Sequence, residues 1–277
     1  MVQIANEFLI VSASLKGGEL THVIYRPTNQ ELLYQGDGVW PHQDVVMFPI
    51  IGKVCPFEAK GKTYQMENPH GFLRNMTLTL EEQTPTSFTL SYVSTPLTLE
   101  HYPYAFRFLM TVKLDGPRLI RSYHIMNLSG EDMPFQFGDH AAYQAKFGQA
   151  VMHLGKQNLF YYPRRNDAFV GSPISFPYQE DWRIAKEDFH RCDTILLEHP
   201  SKELSLSTGY GYRLTYHFSS PYIALWSPSE SADFLCVEPW WGMAPYEDRP
   251  ESILDWKDIN LGGKESVFEE SISFEKE

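Results

Sequence analysis

A carboxylate stands at the end of an apolar run and is separated by one proline from two tryptophans. Residues 234–237 are all apolar, Glu238 follows them, and Pro239, Trp240 and Trp241 come next. Burying an ionisable group is costly unless the group is paired or hydrogen-bonded, so Glu238 is either a satisfied structural acid or a proton-transfer group. The residue before a proline is pushed out of the helical region, and we therefore expect Glu238 to end a buried strand. An aromatic face such as that of Trp240, beside an acid, suits a sugar, whose C–H faces stack and whose hydroxyls form hydrogen bonds.

A histidine lies in a second informative stretch, residues 135–143. In an extended strand His140 shares one face with Gly138 and Ala142, so a hollow is expected on either side of the imidazole. A lone histidine in a strand is more often structural, but small flanking residues favour a ligand-facing role. If His140 and Glu238 converge, their pairing is expected to keep the carboxylate ionised and to raise the imidazole pKa, which gives one acid and one base near neutral pH.

A third cluster combines a histidine, a glycine turn and a cation. His70, Gly71 and Arg74 fall within residues 68–75, so two hydrogen-bond donors can project from one loop-to-strand connection. Upstream, an apolar stretch is followed by Lys53, whose simplest interpretation is a surface lysine at a turn. The sequence offers no compact His/Asp/Glu spacing for a metal, and we predict neither a metal nor a cofactor.

The elements that must position these residues are mostly strands. Apolar and polar residues alternate in segments separated by turn residues, a pattern typical of antiparallel hairpins. The predicted strands are 76–80, 87–93, 106–114, 119–126, 134–137, 203–207, 212–218, 223–226, 234–237 and 266–274. Short helices are predicted only near 41–48 and 181–189. We therefore predict an all-β protein, a large antiparallel β-sandwich with few short helices, forming a single domain over residues 1–277.

Composition sets the broad class of the protein. The 277 residues are 43% hydrophobic and 14% aromatic, which is enough apolar material for a sizeable core. A net charge of −12 argues against nucleic acid or an anionic membrane surface as a partner. Cys55, Cys192 and Cys236 are far apart, so neither a disulfide framework nor a cysteine zinc site is indicated. We expect a cytoplasmic protein because the sequence has no secretion signal and no apolar run long enough for a membrane span. The sequence does not distinguish a monomer from a homodimer.

Four segments, in this order, resemble the aldose 1-epimerase (galactose mutarotase) family, and most closely its bacterial LacX-like branch: FPIIGK, NPHGFLRN, FGDHAAY and VEPWWG. The resemblance spans most of the chain. It implies a galactose mutarotase-like β-sandwich (supersandwich) with a broad open cleft. It also implies an enzyme that interconverts the α and β anomers of free aldoses without a cofactor.

Residue by residue, the resemblance implies His140 as general acid and Glu238 as general base. It implies that His70 and a basic residue, Lys53 or Arg74, hold the sugar. Mutarotation needs a proton taken from the anomeric hydroxyl while another is given to the ring oxygen, so two proton-transfer groups are enough.

Asp193 looks like the substrate-binding aspartate of the family. Relatives commonly carry proline where Ala141 stands and arginine where Lys53 stands. Replacing arginine by lysine loses the planar two-pronged fork, so the sugar is expected to be bound differently or less tightly. Strand alternation turns Asp139 to the face opposite His140, where we expect a structural role.

Two alternative functions stay open at this point. A hexose 6-phosphate mutarotase needs clustered cations, for which Arg164 and Arg165 are candidates, although adjacent residues on a strand face opposite ways. A sugar-binding protein would keep the aromatic cleft without turnover, but both His140 and Glu238 are retained. A glycosidase fits less well, because it uses two carboxylates rather than an acid and a histidine.

Overall fold

The computed structural model describes residues 1–36, 39–53, 55–166, 168–178, 180–198, 200–201, 203–228 and 233–277. In the first half of the chain the strands are β1 Val2–Ala5, β2 Leu9–Ala13, β3 Leu20–Tyr25, β4 Gln30–Glu31, β5 Asp44–Met47, β6 Pro56–Ala59, β7 Lys62–Gln65, β8 Thr79–Gln83, β9 Ser87–Val93, β10 Phe106–Asp115, β11 Arg118–Asn127, β12 Met133–Phe135 and β13 Phe137–Gln144. In the second half they are β14 Val151–His153, β15 Leu159–Tyr161, β16 Arg164–Arg165, β17 Ala168–Phe169, β18 Ile174–Ser175, β19 Asp181–Arg183, β20 Thr194–Glu198, β21 Glu203–Ser207, β22 Tyr212–Phe218, β23 Tyr222–Trp226, β24 Phe234–Trp241, β25 Asn260–Gly262 and β26 Glu265–Lys276. The helices are α1 Pro96–His101, α2 Lys186–Cys192 and two 3-10 turns, Leu73–Asn75 and Ile253–Asp255.

Two large antiparallel sheets make the body of the protein. The nine-stranded sheet has the order β19-β14-β21-β22-β26-β11-β10-β9-β8, and the seven-stranded sheet has the order β18-β15-β20-β23-β24-β13-β5. A four-stranded sheet, β1-β2-β3-β4, and three two-stranded ribbons complete the fold. The predicted all-β sandwich with few short helices is confirmed. Within the described residues, no helix is both long and apolar enough to cross a membrane.

The hairpin of β10 and β11 shows why these sequences become strands. Its register runs from Phe106 opposite Asn127 to Asp115 opposite Arg118, so a tight turn joins the two strands. Every second residue of β10 from Phe106 is buried, while the residues between them are partly or fully exposed. This period of two places one apolar face of the sheet on the core.

The seven-stranded sheet is covered on both faces, and all eight residues of β24 are buried. Glu238 therefore lies inside a strand that continues to Trp241, and the prediction that it ends the strand is wrong. The ladder to β13 pairs Val237 with Ala141 and Trp240 with Gly138. Pro239, which lacks an N–H to donate, falls between these two pairs and leaves the strand uninterrupted.

The helix predicted near 41–48 is wrong, because residues 44–47 form the edge strand β5. All four of its residues are buried, so contacts on both faces decide its conformation. The helix predicted near 181–189 begins later than expected: 181–183 form β19, and α2 starts at Lys186. The Asp188 carboxylate accepts a hydrogen bond from the N–H of Ala185 at 3.1 Å and thereby caps the helix.

Candidate active site

The structure brings His140 and Glu238 together on the outer face of the seven-stranded sheet. The register of β13 and β24 places them opposite each other, and His140 Nε2 lies 3.3 Å from Glu238 Oε1. Both residues are buried, with relative accessibilities of 7% and 2%. The other carboxylate oxygen, Oε2, accepts a hydrogen bond from the indole N–H of Trp240 at 3.0 Å. The pair is therefore held by two central strands, which is a rigid setting for proton transfer.

The pair forms part of the floor of an open cavity of about 330 Å³. That volume lies in the range of pockets that bind small ligands. The cavity is lined by Trp40, Gly52, Lys53, Pro69, His70, His140, Arg164, Asp193, Thr194, Trp226, Glu238, Trp240 and Ala244. Six of the seven residues singled out from the sequence are in this lining, and only Arg74 is missing from it.

The hollow predicted on both sides of the imidazole is only partly present. A Cβ added to Gly138 would lie 2.6 Å from the Met47 side chain and 3.2 Å from the ring of Trp240. Glycine is needed here because neighbouring side chains fill the space. The open volume lies above His140 instead.

Two tryptophans that the sequence analysis missed complete the walls. Trp40 stacks on the His140 ring, with centroids 5.0 Å apart and an interplanar angle of 23°. Trp226 meets the same ring edge-on at 5.7 Å. Trp226 could have been found by counting along β23, because it pairs with Cys236, which is two residues before Glu238 on the same strand face. Trp40 lies outside the strands, and no local pattern assigns it to the pocket.

His70 enters the cavity from a strained turn. Its φ is 66°, and Gly71 follows with a φ of 75°. A side chain at Gly71 would lie 2.1 Å from the carbonyl oxygen of Phe48, so only glycine allows this turn to approach the strand. The N–H of Gly52 donates to His70 Nδ1 at 3.2 Å. A neutral imidazole that accepts at Nδ1 carries its proton on Nε2, so His70 is a hydrogen-bond donor at that atom.

Burial controls the protonation of the central pair. Desolvation raises the pKa of Glu238 well above its usual value, and the hydrogen bond from Trp240 opposes it only in part. Desolvation also lowers the pKa of His140, and the nearby His70 and Arg74 lower it further. The prediction of a raised imidazole pKa is therefore wrong, because the loss of water outweighs the single ion pair. Burial thus disfavours the charged form of each of the two groups.

His70 should make folding sensitive to acid. Burial, reinforced by the positive charge of Arg74, lowers the pKa of His70 to about 3. Below the ordinary histidine pKa the unfolded chain binds a proton that the folded chain refuses, so stability is lost as the pH falls. We expect the wild type to lose roughly 1 kcal/mol more than His70→Asn between about pH 7.5 and about pH 5.5. Urea unfolding at both pH values measures this difference, and equal losses in the two proteins would contradict a neutral imidazole at His70 in the folded protein.

Asp193 and Arg164 form the opposite wall. Asp193 follows α2 with a φ of 54°, and its Oδ2 accepts a hydrogen bond from Thr194 Oγ1 at 3.1 Å. The Arg164 guanidinium makes an ion pair with the same carboxylate. Arg165 points the other way and pairs with Glu247, as strand alternation predicts. The sequence analysis considered Arg164 only as a phosphate ligand, whereas the structure places it beside Asp193.

The two cations proposed to hold the sugar differ in position. Lys53 lines the cavity, and its Nζ donates a hydrogen bond to the carbonyl oxygen of Asn166. Arg74 lies behind the wall, where its Nη2 is 2.6 Å from His42 Nε2. His42 in turn faces Glu19, with Nδ1 and Oε1 3.6 Å apart. Arg74 is not among the residues that line the cavity, and its side chain contacts His42 instead.

A buried charged cluster lies on the opposite face of β13. The Arg121 guanidinium contacts the carboxylates of Asp44, Asp139 and Glu270 between the two large sheets. Desolvation raises the pKa of Asp139 to about 7, although Arg121 opposes the shift. Asp139 Oδ1 accepts the backbone N–H of His140 at 2.9 Å. As expected from alternation, Asp139 has a structural position, and it fixes the backbone that carries His140.

One group of possible metal ligands forms across the two central strands. His140, Cys236 and Glu238 each offer a ligand atom, and these atoms lie within 4.8 Å of one another. Sequence spacing did not indicate this set, because its members are contributed by different strands.

The comparisons with known proteins agree with this architecture. A family model described as aldose 1-epimerase matches residues 1–254. The protein LacX (chromosomal) of Lactococcus lactis subsp. lactis is 25% identical, over 90% of this chain and 93% of LacX. Because the family model covers most of its length, the chain belongs to the aldose 1-epimerase family.

Solved structures show the same fold. A galactose mutarotase related enzyme from Lactobacillus acidophilus superposes with a TM-score of 0.91 at 24% identity, covering 99% of this chain and 97% of that one. A galactose mutarotase-like protein from Lactobacillus casei ATCC 334 gives a TM-score of 0.92 at 20% identity, covering 99% and 100%. At these identities the likeness concerns the fold.

Proposed function

We propose that this member of the aldose 1-epimerase family interconverts the α and β anomers of a free hexose, with Glu238 and His140 as the proton-transfer pair. The observation that carries the proposal is the 3.3 Å contact between His140 Nε2 and Glu238 Oε1 at the floor of an aromatic cavity. Both groups are within reach of one small ligand, which general acid–base catalysis requires.

The reaction needs two proton transfers and one bond cleavage. Glu238 takes the proton of the anomeric hydroxyl, His140 gives a proton to the ring oxygen, and the bond between the anomeric carbon and the ring oxygen breaks. The aldehyde rotates by half a turn, and the reverse transfers close the ring on its other face. Each positioned group typically contributes roughly a hundredfold to ten-thousandfold in rate.

The buried pair suits this exchange because it needs only one shared proton. Once the ring has opened, Glu238 is protonated and His140 is neutral, which is the form that burial favours. Ring closure on either face returns the proton to His140. The pair is thus restored without a proton from bulk water, and its roles reverse between opening and closure.

The remaining lining residues hold the sugar. Trp240 and Trp226 offer aromatic surface to C–H groups, and His70 offers its Nε2–H to a sugar oxygen. The Asp193 carboxylate, about half exposed, is available to accept hydroxyl hydrogen bonds. The substrate class is therefore a neutral monosaccharide with several hydroxyls.

A phosphorylated substrate is less well matched. Phosphate recognition favours clustered cations, and the positive charge of Arg164 is matched here by Asp193. Arg165, the second candidate, is directed to Glu247. A binding protein without turnover would have no need for the buried carboxyl–imidazole pair, whose desolvation is costly.

Polarimetry tests the proposed function. Freshly dissolved α-glucose, α-galactose and glucose 6-phosphate are followed with and without the purified protein. We expect faster relaxation for a free hexose and little effect on the phosphate. Binding of these sugars by calorimetry without acceleration would contradict the proposal and support a sugar-binding protein. Acceleration of glucose 6-phosphate alone would show that the substrate is a phosphorylated hexose and not a free hexose.

Replacing Lys53 by alanine should affect binding more than turnover. Lys53 lines the cavity, and its Nζ donates a hydrogen bond to the carbonyl oxygen of Asn166, not to either member of the reacting pair. We expect KM to rise and kcat to change by a smaller factor, which is the signature of lost binding common to substrate and transition state. Lys113→Ala, on the exposed side of β10, is the control. An unchanged KM for Lys53→Ala would exclude this lysine from the site.

A further inference from the structure

Cys236 lies beside the acid–base pair, and the proposed reaction does not use it. It precedes Glu238 by two residues on β24, so both side chains point to the same face of the sheet. Ala142 lies opposite it on β13, and Trp226 lies opposite it on β23. Its thiol is fully buried, with a relative accessibility of 0%. The Cys236 sulfur thus lies within 4.8 Å of the ligand atoms of His140 and Glu238.

These three side chains make a chemically selective donor set. Imidazole nitrogen, thiolate sulfur and carboxylate oxygen are the ligands of protein zinc sites, whereas magnesium and calcium prefer oxygen alone. At zinc bond lengths of about 2.0–2.3 Å, tetrahedral ligand atoms lie about 3.3–3.8 Å apart. The ligand atoms of the three side chains, which lie within 4.8 Å of one another, therefore need to approach each other by about 1 Å to bind zinc. A divalent ion with one thiolate and one carboxylate is electrically neutral as a unit, which suits a buried site.

The His140 ring has the freedom that this closure requires. Its Nδ1 is buried, and no hydrogen-bond partner for it lies among the residues that the structure describes. In a metal site the ring orientation of a ligating histidine is usually fixed by a hydrogen bond that its other ring nitrogen donates. The ring of His140 is held by stacking on Trp40 instead, which permits small shifts within the ring plane.

We propose that the floor of the cavity is also a binding site for a soft divalent cation such as Zn²⁺, held by His140, Cys236 and Glu238 with a water in the fourth position. The Cys236 thiol gives its proton to the solvent as the metal–sulfur bond forms, and any proton on Glu238 leaves in the same way. The ion occupies both proton-transfer groups, so it excludes catalysis; this consequence rests on the proposed function. Zinc would act here as an inhibitor.

Cadmium titration tests the site without any need for turnover. Cd²⁺ bound to a thiolate gives an ultraviolet charge-transfer band, which we expect for the wild type and expect to be lost in Cys236→Ala. Cys192→Ala is the matched control, because Cys192 is also buried and is the last residue of α2. This variant should keep the band. If Cys236→Ala is poorly folded by circular dichroism, Cys236→Ser, which nearly preserves the volume, replaces it. No band in the wild type, or a band that persists without Cys236, would overturn the proposal.

Polarimetry supplies the second readout. Zn²⁺ should slow the wild-type reaction, a chelator should restore it, and high sugar concentration should weaken the effect. Cys236→Ala should keep its turnover and lose at least about tenfold in sensitivity to Zn²⁺, a loss of about 1.4 kcal/mol in binding. Equal sensitivity in both proteins would place the inhibiting ion elsewhere and overturn the proposal. A cadmium band in a protein that does not interconvert anomers would instead overturn the proposed function and leave the metal site standing.

Discussion

Glu238→Gln is expected to lower kcat for anomer interconversion by at least about a hundredfold. The amide cannot take the anomeric proton, yet it keeps the size of the side chain and can still accept the hydrogen bond from the Trp240 indole. The fold should therefore be retained, and KM should change less than kcat. The rate is measured by polarimetry on the preferred hexose, with urea unfolding as the check on structure.

A matched surface exchange separates chemistry from charge. Glu247→Gln makes the same substitution at an exposed carboxylate that pairs with Arg165 outside the cavity. It should leave kcat unchanged, although it makes the same change of side chain. Near-normal turnover in Glu238→Gln, with Glu247→Gln as the reference, would remove Glu238 from the proton-transfer role.

His140→Asn is expected to cause a loss of similar size, at least about a hundredfold in kcat. Asparagine preserves the polar contact toward Glu238 but cannot carry the proton to the ring oxygen. Because the two groups act as a unit, the double variant should be little worse than either single variant. Additive losses, measured with the same polarimetric assay, would mean that the two residues act independently and would contradict the shared-proton mechanism.

His22→Asn is a suitable control for this second variant. His22 lies on the partly exposed strand β3 and pairs with Glu31, with Nδ1 and Oε2 2.8 Å apart. Its replacement removes a histidine–carboxylate pair of similar geometry outside the cavity. A loss of activity in this control would indicate that the assay reports on the fold and not on proton transfer.

The sequence predicted β9, β10 and β11 to within a residue at each end, because the alternation of apolar and polar residues follows from the sheet itself. In β10, every second residue from Phe106 onward is buried. The prediction from sequence failed where tertiary contacts decide the conformation. Residues 44–47 lack a strong local strand pattern, and they extend because β13 supplies the backbone partners for β5.

The site was predicted in part for the same reason. The apolar run before Glu238 and the small residues beside His140 are local signals, so both residues could be singled out before any contact was known. Trp40 and Arg164 come from other parts of the chain and reach the cavity only through the fold. The direction of the Arg74 side chain could not be predicted either, because in a 3-10 turn it depends on its partner, here His42.

The direction of the pKa shift at His140 could not be read from the sequence. The identity of a pairing carboxylate suggests a raised imidazole pKa, but the degree of burial depends on every neighbouring element. Trp40 and Trp226 cover the ring, and desolvation becomes the largest influence on its pKa. The proximity of Cys236 to His140 could not be read from the sequence either, because it depends on the register between β13 and β24.

Magnetisation exchange between the α and β anomeric protons of a hexose at equilibrium tests the central claim most directly. No net reaction is needed, and the exchange rate above the uncatalysed rate reports interconversion of the anomers by the protein. We predict rapid exchange with the wild type and exchange near the uncatalysed rate with His140→Asn or Glu238→Gln, while both variants still bind the sugar. Exchange at the wild-type rate in either variant would contradict the account of His140 and Glu238 as the proton-transfer pair.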